Sequence, residues 1–253
     1  MEFLATYENP SSYNLRFAYL KVFWDWLIAE GFFRGSRHPL AGLTKRRPQG
    51  RIVQLEEKEV ARLLEQPDQR TYAGLRDYAA MMLQVDTGIR PGELLQLMQE
   101  DYRPEKEGVT IRAPVSKTRT SRTLPISPPT VSAINKLLII RPSSWGDVPI
   151  FCTYDGRPFS VREYSRRIKE YGKKCGLDIT SYSLRHAAAL LLLRRGADAF
   201  TVQALLGHST MQMTRHYVNL TNEDTRRGHN KAGVIRSILG EEVTPKNKRM
   251  RRL

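Results

Sequence analysis

Cysteine is scarce: Cys152 and Cys175 are the two in 253 residues, too few for a disulfide framework and without the spacing of a zinc site. That suits a reducing compartment, and a cytoplasmic setting is expected. Long apolar runs are missing too. None approaches the roughly 18–20 residues that cross a bilayer, and the first residues show no basic start followed by an apolar signal core, so no membrane partner is expected. Acidic residues are in short supply: 26 Asp and Glu stand against 41 Lys and Arg, a net charge of +15. They form no cluster that would hold magnesium. His208 and His216 have a spacing that suits no helical metal pair, and neither a metal nor another cofactor is expected. No internal repeat is present. The charge surplus favours a polyanionic partner, nucleic acid before anionic membrane.

What is there is an ordinary globular composition, 40% hydrophobic and 26% charged. Residues 11–30 read as a helix with Leu15, Tyr19, Val22, Phe23, Trp26 and Leu27 on one stripe, capped by Ser11 or Ser12. Such a stripe demands a partner, so the small N-terminal domain (residues 1–47) is expected to be incomplete, a truncated piece of a longer protein. The stretch GLTKRRPQGRIVQ carries Lys45, Arg46, Arg47 and Arg51 and reads as a basic, DNA-contacting connection, with the linker proper at 48–54. Helices are predicted at EEKEVARLLEQ, over 75–86 and from IRPGELLQL onward, the last placing Arg90 at a helix start with Glu93 three residues on. Residues 102–103, 109–112 and 123–126 read as a three-stranded antiparallel sheet whose second loop, SKTRTSR, holds Lys117, Arg119 and Arg122 for a DNA backbone or groove. Helices follow at 128–140 and 160–175, with a short strand at 150–152 between them. A final helix over 222–239, with a weak apolar stripe, and a basic tail follow.

The chain is organised around TSYSLRHAAALLLLRRGADAFTVQALLGHSTMQMTRHY, residues 180–217. Its middle is an apolar, buried helix, broken at Gly196 and Asp198. A second short helix stops at Gly207, with His208 at its tip, and Tyr217 lies nine residues beyond on a third. Arg90, Lys117, Arg185, His208 and Tyr217 then make a set with a coherent chemistry. Guanidinium forks clamp non-bridging phosphate oxygens, a tyrosine oxygen attacks phosphorus, and a lysine on a loop protonates the departing alkoxide. His186 is read as an indirect or helix hydrogen-bonding residue rather than a catalytic one, and His216 as structural.

TGIRPGELLQL, the SKT hairpin, YSLRHAAALLLLRRGADAFTVQALLGH and the tyrosine nine residues later resemble the tyrosine recombinase (phage integrase) family, in order and spacing, over about residues 55–239. The resemblance implies a mainly α fold with a small three-stranded antiparallel sheet. It also implies a catalytic domain over 55–221, the end of a core-binding, DNA-clamping domain over 1–47, and a segment, 222–253, that docks on a neighbouring protomer. Arg90 and Arg185 would bind the scissile phosphate, Lys117 would protonate the 5′-oxygen, His208 would hydrogen-bond the phosphate and Tyr217 would form a 3′-phosphotyrosyl bond. Glu93 would support Arg90. Double-stranded DNA and a homo-tetramer on two DNA sites are the implied partners. One departure stands out: the family usually has histidine, sometimes lysine, three residues before the second arginine, and here that position is Tyr182. Tyrosine is a poor base near neutrality, so Tyr182 is expected to position Tyr217 or the phosphate. A catalytically silent DNA-binding module and a type IB topoisomerase are the competing readings.

Overall fold

A computed structural model describes residues 2–47, 54–106, 108–116 and 118–218, apart from the side chains of Glu2 and His216. Lys117, residues 48–53 of the linker expected at 48–54 (Arg51 among them) and the segment 222–253 lie outside the described residues. The chain divides into two compact units, Met1–Ile52 and Val53–Leu253.

The first unit holds α1 (Glu2–Ala5) and α2 (Pro10–Ala29). Asn9 caps α2, its side-chain oxygen accepting from the Ser11 and Ser12 amides, because Pro10 occupies the first turn, where a missing N–H costs nothing. The cap thus lies upstream of the expected serines. The buried face of α2 differs as well. Tyr13 and Phe17 pack with Leu4, flanked by Tyr7, Leu20, Leu40 and Leu43, whereas Leu15, Tyr19, Val22, Phe23 and Trp26 are each at least half exposed. The covered face of α2 is the i, i+4, i+7 set at 13, 17 and 20, which meets Leu4, Leu40 and Leu43.

The second unit begins with α3 (Glu57–Leu64), then α4 (Tyr72–Thr87). Thr71 caps α4 through the Gly74 amide, and Gly88 ends it in the left-handed region at φ +67°. This helix lies between α6 (Pro128–Ile139) and α8 (Ser181–Arg194). That sandwich explains why none of its residues is exposed, polar Arg76, Asp77 and Gln84 included. Between α4 and α6 come α5 (Pro91–Leu94) and the strands β1 (Tyr102–Arg103), β2 (Gly108–Ile111) and β3 (Arg122–Pro125). The strands pair antiparallel in the order β1-β2-β3, with Tyr102 opposite Val109 and Ile111 opposite Arg122.

Helix α5 is shorter than its sequence suggests, because the chain leaves it to let the Leu97 carbonyl accept from the Ile150 amide at 2.7 Å. The strand expected at 150–152 reduces to one bridge between Cys152 and Pro158, since proline has no N–H to continue a ladder. Helix α7 (Val161–Lys174) carries a reciprocal Ser160–Glu163 cap, and α9 (Ala199–Leu206) is capped by Asp198 and closed by Gly207. Then α10 (Met211–Val218) packs on α8 and α9. Among the described residues, no helix is long and apolar enough to cross a membrane. The fold is mainly helical with one small antiparallel sheet.

Candidate active site

Two arginines are fixed by the ends of two helices. Arg185, 4% exposed on α8, donates from Nη1 to the Gly88 carbonyl at 2.6 Å and from Nη2 to the Leu206 carbonyl at 2.9 Å. Arg90, at the start of α5, donates from Nη2 to the Gly207 carbonyl at 2.8 Å. Those carbonyls belong to the C-terminal turns of α4 and α9, where backbone acceptors lack helical partners and carry partial negative charge. Both glycines adopt positive φ, +67° at Gly88 and +62° at Gly207, and that conformation turns each carbonyl toward a guanidinium. Each arginine therefore keeps further N–H groups of its fork for a ligand. Burial, and then the neighbouring charge of Arg90, pull the Arg185 pKa down to about 10. An anion in the cleft would relieve both.

Glu93, 2% exposed, lies between Arg90, at 3.1 Å, and Arg122, at 2.6 Å. Burial pushes its carboxyl up, but Arg122 and then Arg90 more than offset that and hold it below the ordinary value. Arg122 is not in the loop but opens β3. Side chains two apart on a strand share a face, so Arg122 points the same way as the buried Leu124 and meets Glu93. Arg119 stays in the loop, exposed, with a left-handed φ of 55°.

His208 follows α9. Its Nδ1 is 2.8 Å from the hydroxyl of Thr214, which is fully buried on α10. When Thr214 donates this bond, Nε2 carries the proton and is free to donate to a phosphate oxygen. Burial first, then Arg185 and Arg90, lower the His208 pKa to about 4, so the ring is neutral at pH 7. Its plane lies 6° from that of Tyr217, with centroids 6.1 Å apart. Tyr217 itself is 5% exposed. Burial raises its pKa, with Arg185 and Arg90 pulling the other way. The Tyr217 hydroxyl is 2.7 Å from Nδ1 of His186. Arg90, Arg185, His186, His208 and Tyr217 all line one cleft of about 600 Å³.

The remaining sequence candidates lie elsewhere. Tyr182 on α8 is half exposed, and among the described residues its side chain makes no hydrogen bond; the bond to Tyr217 comes from His186, one turn further along. In the first unit Lys45, Arg46 and Arg47 are exposed. Arg46 donates to the Tyr7 carbonyl at 2.8 Å and lies over the Tyr13 ring at 3.9 Å. Sequence reasoning read His186 as an indirect residue and Arg122 as a loop contact to DNA, and passed over Thr214. Adjacency to Arg185 was a signal for the first and the strand alternation for the second; nothing in the sequence marked Thr214. Among the described residues no group of three His, Cys, Asp or Glu could hold a metal ion, and Glu93 is already engaged by two arginines.

Over most of its length the chain is similar to known proteins. The profile of the phage integrase family matches residues 54–224. Tyrosine recombinase XerA of Pyrococcus furiosus is 32% identical over 193 residues, 74% of this chain and 64% of that protein. Tyrosine recombinase XerC of Myxococcus xanthus is 28% identical, covering 90% of this chain and 78% of that one. The chain thus spans just under two thirds of the length of the Pyrococcus XerA relatives. A crystal structure of XerA recombinase superimposes with a TM-score of 0.61 at 26% identity, over 77% of this chain and 68% of that one. XerH site-specific recombinase bound to a palindromic difH substrate, in a post-cleavage complex, shares the fold with a TM-score of 0.69 at 22% identity, over 92% of this chain and 70% of that one.

Proposed function

Because this chain belongs to the phage integrase family of tyrosine recombinases, we propose that it cuts and rejoins double-stranded DNA at specific sites through a covalent bond to Tyr217. The convergence of Arg90, Arg185, His208 and Tyr217 on one cleft carries this reading. Arg90 and Arg185, held by helix-end carbonyls, grip the non-bridging oxygens of the scissile phosphate and offset the charge that builds up in the transition state. His208 adds a neutral donor. The Tyr217 oxygen attacks phosphorus and becomes linked to the 3′-phosphate, while the 5′-oxygen leaves with a proton. In the family pattern Lys117 supplies that proton. The half-exposed Tyr182 hydroxyl is assigned to a DNA phosphate. Rejoining runs the same steps backwards with a 5′-hydroxyl from another strand.

The net charge of +15 fits a DNA substrate, and the similar XerH structure holds its difH DNA. Lys45, Arg46, Arg47, Arg51 and Arg119 are assigned to the DNA backbone. The guanidinium charges take the part a cation plays in other phosphoryl transfers, so the reaction is expected to proceed in EDTA. Exchange in the cytoplasm between two sites by four protomers, to move a mobile element or resolve replicons, completes the proposal.

Covalent trapping tests it. The protein and a Tyr217→Phe variant are incubated in EDTA with nicked duplexes drawn from DNA flanking the gene, and denaturation-resistant protein–DNA bands are sought. A band present with the native protein and absent with the variant supports the reading. Tight, salt-sensitive binding with no band in any lane would replace it with a silent DNA-binding module.

A further inference from the structure

The cleft contains one imidazole that the proposed chemistry has not used. His186 follows Arg185 on α8, so the same helical turn that delivers the buried arginine also delivers a ring whose Nδ1 lies 2.7 Å from the Tyr217 oxygen. The two rings are tilted by 43° with centroids 5.7 Å apart, so they do not stack, and they meet through the hydrogen bond between the hydroxyl and the ring nitrogen. His208, by contrast, lies parallel to the Tyr217 ring and directs Nδ1 at Thr214. Tyr182, where the family pattern has its usual basic residue, is half exposed and makes no side-chain hydrogen bond among the described residues.

We propose that His186 is the proton acceptor for Tyr217, standing in for the basic residue that position 182 lacks. The inference rests on the strand-cleavage reading above. In the step, the Tyr217 O–H bond breaks and its proton passes to Nδ1, making an imidazolium. The freed oxygen pair forms the bond to phosphorus, and the bond from phosphorus to the 5′-oxygen breaks. The departing pair stays on that oxygen, which takes a proton from the general acid. On rejoining, the imidazolium returns its proton to the tyrosine oxygen as the phosphotyrosyl bond breaks.

The surroundings say when this step occurs. Among the described residues the charged groups acting on Tyr217 are Arg185 of α8 and Arg90 of α5, both cationic. Beside them a new imidazolium is disfavoured while the cleft is empty. A phosphodiester in the cleft brings the negative charge that offsets all three. Deprotonation is thereby tied to DNA binding, and the nucleophile is held protonated and buried until then.

The test uses the full chain on nicked suicide duplexes carrying either an ordinary phosphate or a 5′-bridging phosphorothiolate, whose thiolate leaves without needing a proton. Native protein is compared with His186→Ala and with His186→Asn, which keeps a polar atom near Nδ1 but accepts no proton. Expected is a fall of about 10²-fold or more in covalent-complex formation for both variants. The deficit should persist on the phosphorothiolate, with unchanged duplex binding and partial recovery of the alanine variant in imidazole buffer. A native rate in either variant overturns the proposal: in the alanine variant it makes His186 dispensable, in the asparagine variant it reduces His186 to a hydrogen-bonding partner. Recovery on the phosphorothiolate overturns it as well, since the defect would then lie on the leaving-group side. If the native protein binds both duplexes and cleaves neither, the strand-cleavage reading fails and this inference with it; native cleavage alongside an unaffected alanine variant removes the inference alone.

Discussion

Arg122 Nη2 lies 2.6 Å from Oε2 of Glu93, while the other Glu93 oxygen is 3.1 Å from Arg90. One buried carboxylate thus couples the first residue of β3 to the arginine that opens α5, and the sheet becomes part of the scaffold of the cleft.

Arg122→Ala should therefore behave differently from Arg119→Ala. Removing Arg122 leaves Glu93 partly unpaired and Arg90 loosely held, so covalent-complex formation should fall by about 10-fold or more, on the order expected when positioning is lost. The salt dependence of DNA binding should stay the same. Arg119→Ala should lower the slope of log K against log salt by about 1. Binding titrations at several salt concentrations check both, and a reduced slope for Arg122→Ala would make it a phosphate contact instead.

Gly88→Ala should disturb Arg185 without touching it. A Cβ there would sit 2.4 Å from Leu206 Cδ2, on a backbone at φ +67°. Steric relief would move both carbonyls that receive Arg185. A loss of about 1–3 kcal/mol in denaturant unfolding is expected, together with slower cleavage. An unchanged unfolding midpoint would show that the α4–α9 junction yields freely.

His208 should titrate near pH 4 in the free protein and higher once DNA phosphate is bound, read from its imidazole NMR signals. The sign for stability follows from the depressed pKa. Between about 6.5 and about 4 the unfolded chain holds more of this proton, so stability present above pH 6.5 is lost as the pH falls through that window. His208→Gln should flatten the stability profile there. A native profile in the variant would contradict the assignment.

Asp77 offers a test of stability apart from chemistry. Its fully buried carboxylate accepts from Arg76 at 2.7 Å, Arg167 at 2.7 Å and the Tyr171 hydroxyl at 2.8 Å. Asp77→Ala leaves the buried Arg76 without its carboxylate and should cost about 3–5 kcal/mol. Thermal or denaturant melts measure it; a loss below 1 kcal/mol would mean that water replaces the carboxylate.

The sequence by itself determined most element types and singled out Arg90, Arg185, His208 and Tyr217, which meet in one cleft. Helix periodicity, glycine stops and capping residues act within a few positions, and the spacing of Arg185, His208 and Tyr217 along three short helices is a local property of the chain. What lies across the fold needed tertiary structure. Which face of α2 is covered depends on where Leu4, Leu40 and Leu43 pack, and they bury Tyr13 and Phe17 while the stripe at 15, 19, 22 and 26 is exposed. Arg122 reads as a loop cation until the register sets it opposite Ile111 and turns it toward Glu93. His186 reads as a bystander until α10 folds back on α8 and brings a hydroxyl 31 positions away within 2.7 Å. Each of these contacts is fixed by packing between elements distant in sequence, and no local pattern encodes the distance between two side chains that meet only after the core has closed.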